Sequence, residues 1–229
     1  MTTAYPHQLV FDLAHRQALG AEDFLVSRSN DAAVEMIDRW PDWPHPASIV
    51  VGPQGAGKSH LANVWRLRSG ASIITAAALD DGAVAALADG GAIVVEDLDR
   101  GIADEKALFH LLNRARESKL AVLITSRMPP GEQEFRVPDL RSRLRAMPMV
   151  ELQPPDEALL KAVLVKLFAD RQLDVEPPVI DYLSLRMERS MAAASQIVAA
   201  ADRLALSKHR KVTRPLVAEV LASLDETRE

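Results

Sequence analysis

Eight consecutive residues, Gly52-Pro53-Gln54-Gly55-Ala56-Gly57-Lys58-Ser59, fit the pattern G-x-x-x-x-G-K-[ST], in which a glycine-rich turn wraps backbone amides around phosphate oxygens. Each part of the pattern has a task. Gly52, Gly55 and Gly57 permit backbone conformations closed to other residues. Lys58 brings a cation to the terminal phosphates, and Ser59 offers a hydroxyl to magnesium. Gln54, Ala56 and His60 complete the candidate nucleotide contacts, with the positive end of the following helix directed at the anion. The bland reading is an ordinary glycine-containing strand-to-helix turn.

A phosphate loop works with acids that hold the metal and orient water, normally at the end of a neighbouring parallel strand. Glu96 and Asp97 follow Ile93-Val94-Val95 and supply two carboxylates there. Glu96 joins Ser59 as a candidate magnesium ligand, and Asp97 is the candidate base or water-orienting residue. Glutamate stands where such sites usually carry aspartate, and its extra methylene alters the reach to a water-shelled ion. Asp97 is short for its task, so slow turnover is expected. A solvated strand end would also carry such a pair. Thr125-Ser126 close another apolar run, where their hydroxyls could sense a terminal phosphate or simply cap the strand. Arg141, Arg143 and Arg145 crowd one basic helix, either as a solvated face or with one arginine directed at a neighbour's nucleotide.

These groups need a scaffold. The apolar run 47–51 delivers the phosphate loop to a helix at 59–67, and further strands are expected at 73–75, 91–95, 120–125 and 149–152. Helices are expected at 80–89 and 104–118, the latter with Leu108, Leu111 and Leu112 inward. Asn30 or Asp31 caps an earlier helix with Val34, Ile37 and Trp40 on one face. Nearly unbroken apolar strands alternating with helices predict a parallel sheet covered on both faces. From Pro154 the strand signal stops, and four helices are expected at 156–171, 178–187, 191–207 and 214–224. The division is therefore an arm at 1–14, an α/β domain at 15–153 and a small all-helical domain at 154–229.

The 229 residues can bury one large core or two unequal ones. A net charge of −5 argues against a surface devoted to DNA, so direct DNA binding is expected to be weak. The absence of cysteine removes disulfides and thiolate metal sites. No apolar run reaches the roughly 18 residues of a membrane span, and a cytoplasmic protein with no membrane partner is expected. The cluster Lys208-His209-Arg210-Lys211, with Arg214, could meet DNA or an acidic partner, or be a solvated loop. At the N-terminus, Leu9, Phe11 and Leu13 alternate as in a short strand, and with Gln8 they also resemble a bacterial clamp-binding peptide, with a glutamine anchor and closely spaced apolar side chains.

Residues 27–30 (SRSN), 52–61 (GPQGAGKSHL), 94–98 (VVEDL), 123–129 (LITSRMP) and 140–144 (LRSRL), in this order, resemble the AAA+ domain of the bacterial replication initiator DnaA. With a clamp-type arm before it and no helix-turn-helix domain after it, the arrangement is similar to the Hda family of DnaA-related regulators. The resemblance implies an AAA+ P-loop parallel-sheet domain followed by an all-helical lid, binding ADP or ATP with Mg2+. It implies the sliding clamp as partner through Gln8, Leu9, Phe11 and Leu13, and DnaA as partner whose ATP hydrolysis is stimulated to restrain replication initiation. Arg143 then corresponds to the arginine finger acting in trans, while the chain's own site chiefly binds nucleotide, ADP in the first place. A homo-oligomer is compatible with this arrangement. Ala192 stands where the family carries a lid arginine, unless Arg189 serves from one turn earlier. The competing readings are an autonomous ATPase of the helicase-loader kind and a DNA-binding initiator fragment.

Overall fold

A computed structural model describes residues 25–226 of the chain, so Gln8, Leu9, Phe11 and Leu13 lie outside the described residues. Backbone contacts divide the described residues into two units, one running Arg28–Pro154 and the other made of Leu25–Ser27 and residues 155–226.

The first unit is built on five strands: β1 (Ala47–Val51), β2 (Ser72–Thr75), β3 (Ala92–Glu96), β4 (Ala121–Ser126) and β5 (Met149–Glu151). They pair in the order β2-β3-β4-β1-β5, every pair parallel. Position in the sheet accounts for the residue types. Central β1 is buried at all five positions, and β4 at all but its first, because layers on both faces exclude water. At the edges, Ile73 of β2 and Met149 of β5 remain exposed, which explains the weaker apolar signal of both strands.

The helices of this unit are α1 (Asp31–Asp38), α2 (Lys58–Ser69), α3 (Asp81–Ala85), α4 (Glu105–Glu117) and α5 (Pro138–Ala146). Asp104 caps α4 by accepting the amides of Lys106 at 2.8 Å and Ala107 at 3.2 Å. Spacing then puts Leu108, Leu111, Leu112 and Ala115 on its buried face. Helix α3 is shorter than the expected 80–89. Its continuation is occupied otherwise: Arg114 of α4 binds the carbonyls of Val84 and Leu87, the former at 2.6 Å, and also the Asp89 carboxylate at 3.1 Å.

Helix α1 stops at Asp38, so Trp40 does not extend its apolar face as expected. Trp40 precedes Pro41, whose ring disfavours helical backbone in the residue before it. The Trp40 ring instead meets Trp65 of α2 edge-on at 6.2 Å, while Trp43 stacks on Trp65 at 5.1 Å and 12°. The proline-rich segment after α1 is thus pinned to the phosphate-loop helix.

The second unit is a helical bundle of α6 (Glu157–Ala169), α7 (Pro177–Arg186), α8 (Met191–Lys208) and α9 (Arg214–Glu226). Proline at the first position of α7 occurs where no intrahelical amide is needed. Ser190 caps α8, accepting the Ala193 amide at 3.0 Å. Buried Ala193, Ala194, Ala201 and Ala205 let α8 pack closely against Leu160, Leu164, Phe168, Leu183 and Val217. No helix among the described residues is long and apolar enough to cross a membrane.

Candidate nucleotide site

The carboxyl ends of β1, β4 and β3 lie side by side, and each emits a candidate group. The phosphate loop leaves β1, Thr125-Ser126 end β4, and Glu96-Asp97 end β3. Two strand spacings separate β1 from β3, about 10 Å. Crevices beyond the carboxyl ends of parallel strands are where α/β sheets bind ligands.

The loop is shaped by two of its glycines in particular. A Cβ on Gly52 would lie 2.5 Å from the Leu152 carbonyl oxygen, so the chain leaving β5 leaves no room for a side chain. Gly57 adopts φ +104°, in the left-handed region, immediately before Lys58 opens α2. The amide of Gly52 donates to the Ser126 carbonyl at 3.1 Å, which ties the loop to β4. Ala56 is buried, whereas Gln54, Ser59 and His60 are exposed. The first helical bond of α2 runs from the Leu61 amide to the Gly57 carbonyl, which sets the positive end of the helix against the loop.

Lys58 is only 8% exposed. Its ammonium donates to the carbonyls of Gly52 at 2.6 Å and Pro53 at 2.9 Å. Burial lowers its pKa from the ordinary lysine value, and the opposing pull of Asp99 and Asp97 does not restore it. A dehydrated cation held in a turn of this kind suits an anionic ligand.

Asp97 sits in left-handed backbone, φ 59°, with its amide donating to Thr125 Oγ1 at 3.2 Å. Its carboxylate lies 3.6 Å from the Arg100 guanidinium. Glu96 Oε1 is buried with no hydrogen-bond partner. A buried carboxylate oxygen without a donor is costly unless a cation or ordered water meets it. Among the described residues no three His, Cys, Asp or Glu converge as a metal cage. Magnesium bound with nucleotide needs few protein ligands, because phosphates and waters complete its shell. Ser59 and Glu96 therefore fit such an ion.

The strand-end hydroxyls are committed locally. Thr125 and Ser126 are 1% and 0% exposed. Thr125 takes the Asp97 amide, while Ser126 donates to the Met128 carbonyl at 2.7 Å and accepts from Gln133 at 3.0 Å. Capping, the plainer of the two readings, describes the Thr125 contact and the Ser126 bond to Met128.

Sequence reasoning missed Asp99. Its side chain is 3% exposed and receives the Arg127 backbone amide at 2.7 Å together with the Arg127 guanidinium. Burial pushes its pKa up, but the Arg127 hydrogen bonds and charge outweigh this and hold the carboxyl below the usual range. The available signal was the spacing Asp97-Leu98-Asp99, with apolar Leu98 between two acids just past a strand.

Arg143 lies in the last turn of α5, anchored by buried Leu140 and Leu144. Its guanidinium carbon is 4.6 Å from the Phe109 ring centroid on α4. Arg141 is engaged differently, donating to the Gly131 carbonyl at 3.3 Å. In the helical unit, Ala192 and Arg189 flank the Ser190 cap, and both are exposed.

Residues 156–221 match the family model described as "Hda, lid domain". Among solved structures, domain III of the Thermotoga maritima replication initiation protein DnaA is similar at 18% identity, with a TM-score of 0.75 over 91% of this chain and 97% of that one. A point variant of T. maritima RuvB is similar at 15% identity and TM-score 0.68, over 86% of this chain and 68% of that one. A replication initiator DnaA bound to AMPPCP and single-stranded DNA is similar at 16% identity and TM-score 0.63, over 80% and 64%. At these identities the structural likeness speaks for the fold, and the lid match adds the family of the helical unit. The phosphate loop, the five-stranded parallel sheet and the helical unit thus share the fold of DnaA domain III, and residues 156–221 are similar to the Hda lid.

Proposed function

We propose that this protein restrains replication initiation by stimulating hydrolysis of the ATP bound to DnaA, while anchored to the sliding clamp through Gln8, Leu9, Phe11 and Leu13. The observation that carries the reading is Arg143: an arginine on a helix with buried leucines, over Phe109, with no ion pair among the described residues. A guanidinium backed by an aromatic ring is pre-oriented and keeps its hydrogen-bond donors for charge on a partner's nucleotide. Contributions of about 10³–10⁵ in rate are typical of such fingers. The lid of the Hda family supports DnaA as that partner.

The chain's own loop is proposed to hold ADP or ATP. A similar DnaA was solved with AMPPCP, which supports an adenine nucleotide. Lys58 would meet the terminal phosphates, the loop amides would surround them, and Ser59 and Glu96 would hold magnesium. The ion would neutralise phosphate charge. Asp97, which faces Arg100 and is fixed in left-handed backbone, is short for water activation, and Ala192 provides no lid cation. Own turnover is therefore proposed to be slow, and nucleotide to serve as a structural ligand, with a homo-oligomer compatible with the same surfaces.

The alternative, an autonomous ATPase of the helicase-loader kind, is favoured by the orphaned Glu96 oxygen at the end of β3, across β4 from an intact phosphate loop. Two variants separate the readings. Gln8→Ala with Leu9→Ala should lose clamp binding and retain the fold, whereas Arg143→Ala should keep clamp binding and lose DnaA-directed stimulation. Rapid clamp-independent hydrolysis by the protein alone would favour the alternative.

A further inference from the structure

The helical unit carries a cation cluster that the nucleotide site does not use. Arg186, in the last turn of α7, places its guanidinium carbon 4.2 Å from the Tyr182 ring centroid. Arg214, the first residue of α9, lies 4.7 Å from the same centroid. Two like charges thus share one aromatic ring, and neither has an ion pair among the described residues. Between α8 and α9 the segment 209–213 adds exposed Arg210 and Lys211, anchored by buried Val212. From Leu204 to Pro215 the sequence contains no acid. Glu219 does reach back, but its carboxylate is bound to Lys208 at 2.6 Å. Asp181, beside Tyr182, is bound to Lys161 at 2.7 Å.

Two guanidiniums on one ring, with no ion pair to either among the described residues, leave a local positive charge that a polyanion would neutralise. We infer that Arg186, Arg214, Arg210 and Lys211 form a contact surface for the phosphate backbone of duplex DNA. Planar guanidiniums resting on a ring are pre-oriented for bidentate binding of phosphate oxygens. A duplex presents one charge per ~1.7 Å of axis, the kind of dense linear charge that a cluster without acids can neutralise with counterion release.

Duplex rather than single-stranded DNA follows from the aromatics. Single-strand binding relies on open rings on which bases stack. In the described helical unit the aromatic residues are Phe168, which is buried, and Tyr182, whose ring already carries the two arginines. Recognition is therefore through the backbone and indifferent to sequence. Four cations in an acidic chain make it weak and strongly dependent on salt. The inference goes beyond the reading above and uses none of its residues.

The test is fluorescence anisotropy of the full-length protein with a labelled 20-base-pair duplex, from 50 to 200 mM salt. Arg186→Ala with Arg214→Ala should weaken binding about tenfold or more and lower the slope of log K against log salt by about 2. Lys166→Ala with Arg171→Ala, on and just beyond α6, should change neither. Arg186→Lys with Arg214→Lys should keep the salt slope but lose part of the affinity. Unchanged thermal melting would show each variant folded. The inference is overturned if the duplex does not bind at 50 mM salt, if the double alanine variant binds as tightly as the parent, or if single strands bind better. It is equally overturned if poly-glutamate displaces the duplex as effectively, charge for charge, as unlabelled DNA, since the surface would then serve an acidic polypeptide. None of these outcomes bears on Arg143.

Discussion

At the scale of single residues, Gly52 and Lys58 set what the phosphate loop can do. A methyl group on Gly52 would press on the Leu152 carbonyl at 2.5 Å, a contact made by backbone that cannot swing aside. Gly52→Ala should therefore cost about 1–3 kcal/mol by overpacking and weaken ADP binding, read by thermal melting and titration. An alanine variant as stable as the parent would mean that the β5 end yields easily. Lys58 has a folded-state pKa below its unfolded value, so folding carries a penalty at neutral pH that fades as pH rises toward the ordinary lysine range. Nucleotide binding has the opposite sign, because the phosphates need the ammonium. Affinity for a fluorescent ADP analogue should hold near neutrality and fall on the alkaline side, beginning below the ordinary lysine pKa. The slope should disappear in Lys58→Ala.

At the scale of elements, β4 governs the loop after β3. Thr125 holds the Asp97 amide, and Arg127 holds buried Asp99, so the acids beyond Glu96 are positioned by the neighbouring strand's end. Asp99→Asn should destabilise the α/β unit by about 1.5–3 kcal/mol, the usual contribution of hydrogen bonds to a charged group. Because the Asp99 pKa is depressed in the fold, its stabilisation is present above the ordinary carboxylate value and lost as pH falls through the folded one. The difference in melting temperature between parent and variant should accordingly shrink in acid. Much of this layer was legible in the sequence. The unbroken apolar runs of β1, β3 and β4 signalled buried parallel strands, and Asp104 and Ser190 stood where helices begin. What escaped were pairings across elements: Arg114 ending α3, Trp65 receiving Trp40 and Trp43, and Asp99 meeting Arg127 from 28 residues away. Local periodicity carries no trace of a partner that distant, whereas a phosphate loop is legible because its parts are contiguous.

At the scale of the molecule, each unit has its own hydrophobic core. One gathers Ile49, Val95, Leu108, Leu111 and Ile124 around the sheet, and the other Leu164, Phe168, Ile197 and Val217 inside the bundle. Calorimetry should resolve two transitions. ADP at about 100 times its Kd should raise the transition of the α/β unit by an amount equivalent to ~2.7 kcal/mol. A single transition would mean that the cores unfold as one. The same division suits a regulator whose nucleotide is a structural ligand and whose action is exerted on a partner through Arg143. The most direct test of that claim is single-turnover hydrolysis of radiolabelled ATP preloaded on DnaA, with DNA-loaded clamp, in the presence of the parent protein or Arg143→Ala. The account predicts clear acceleration by the parent and loss of at least about 10³-fold of any such acceleration in the variant. Equal acceleration by both proteins, or none by the parent while it binds the clamp, would contradict it.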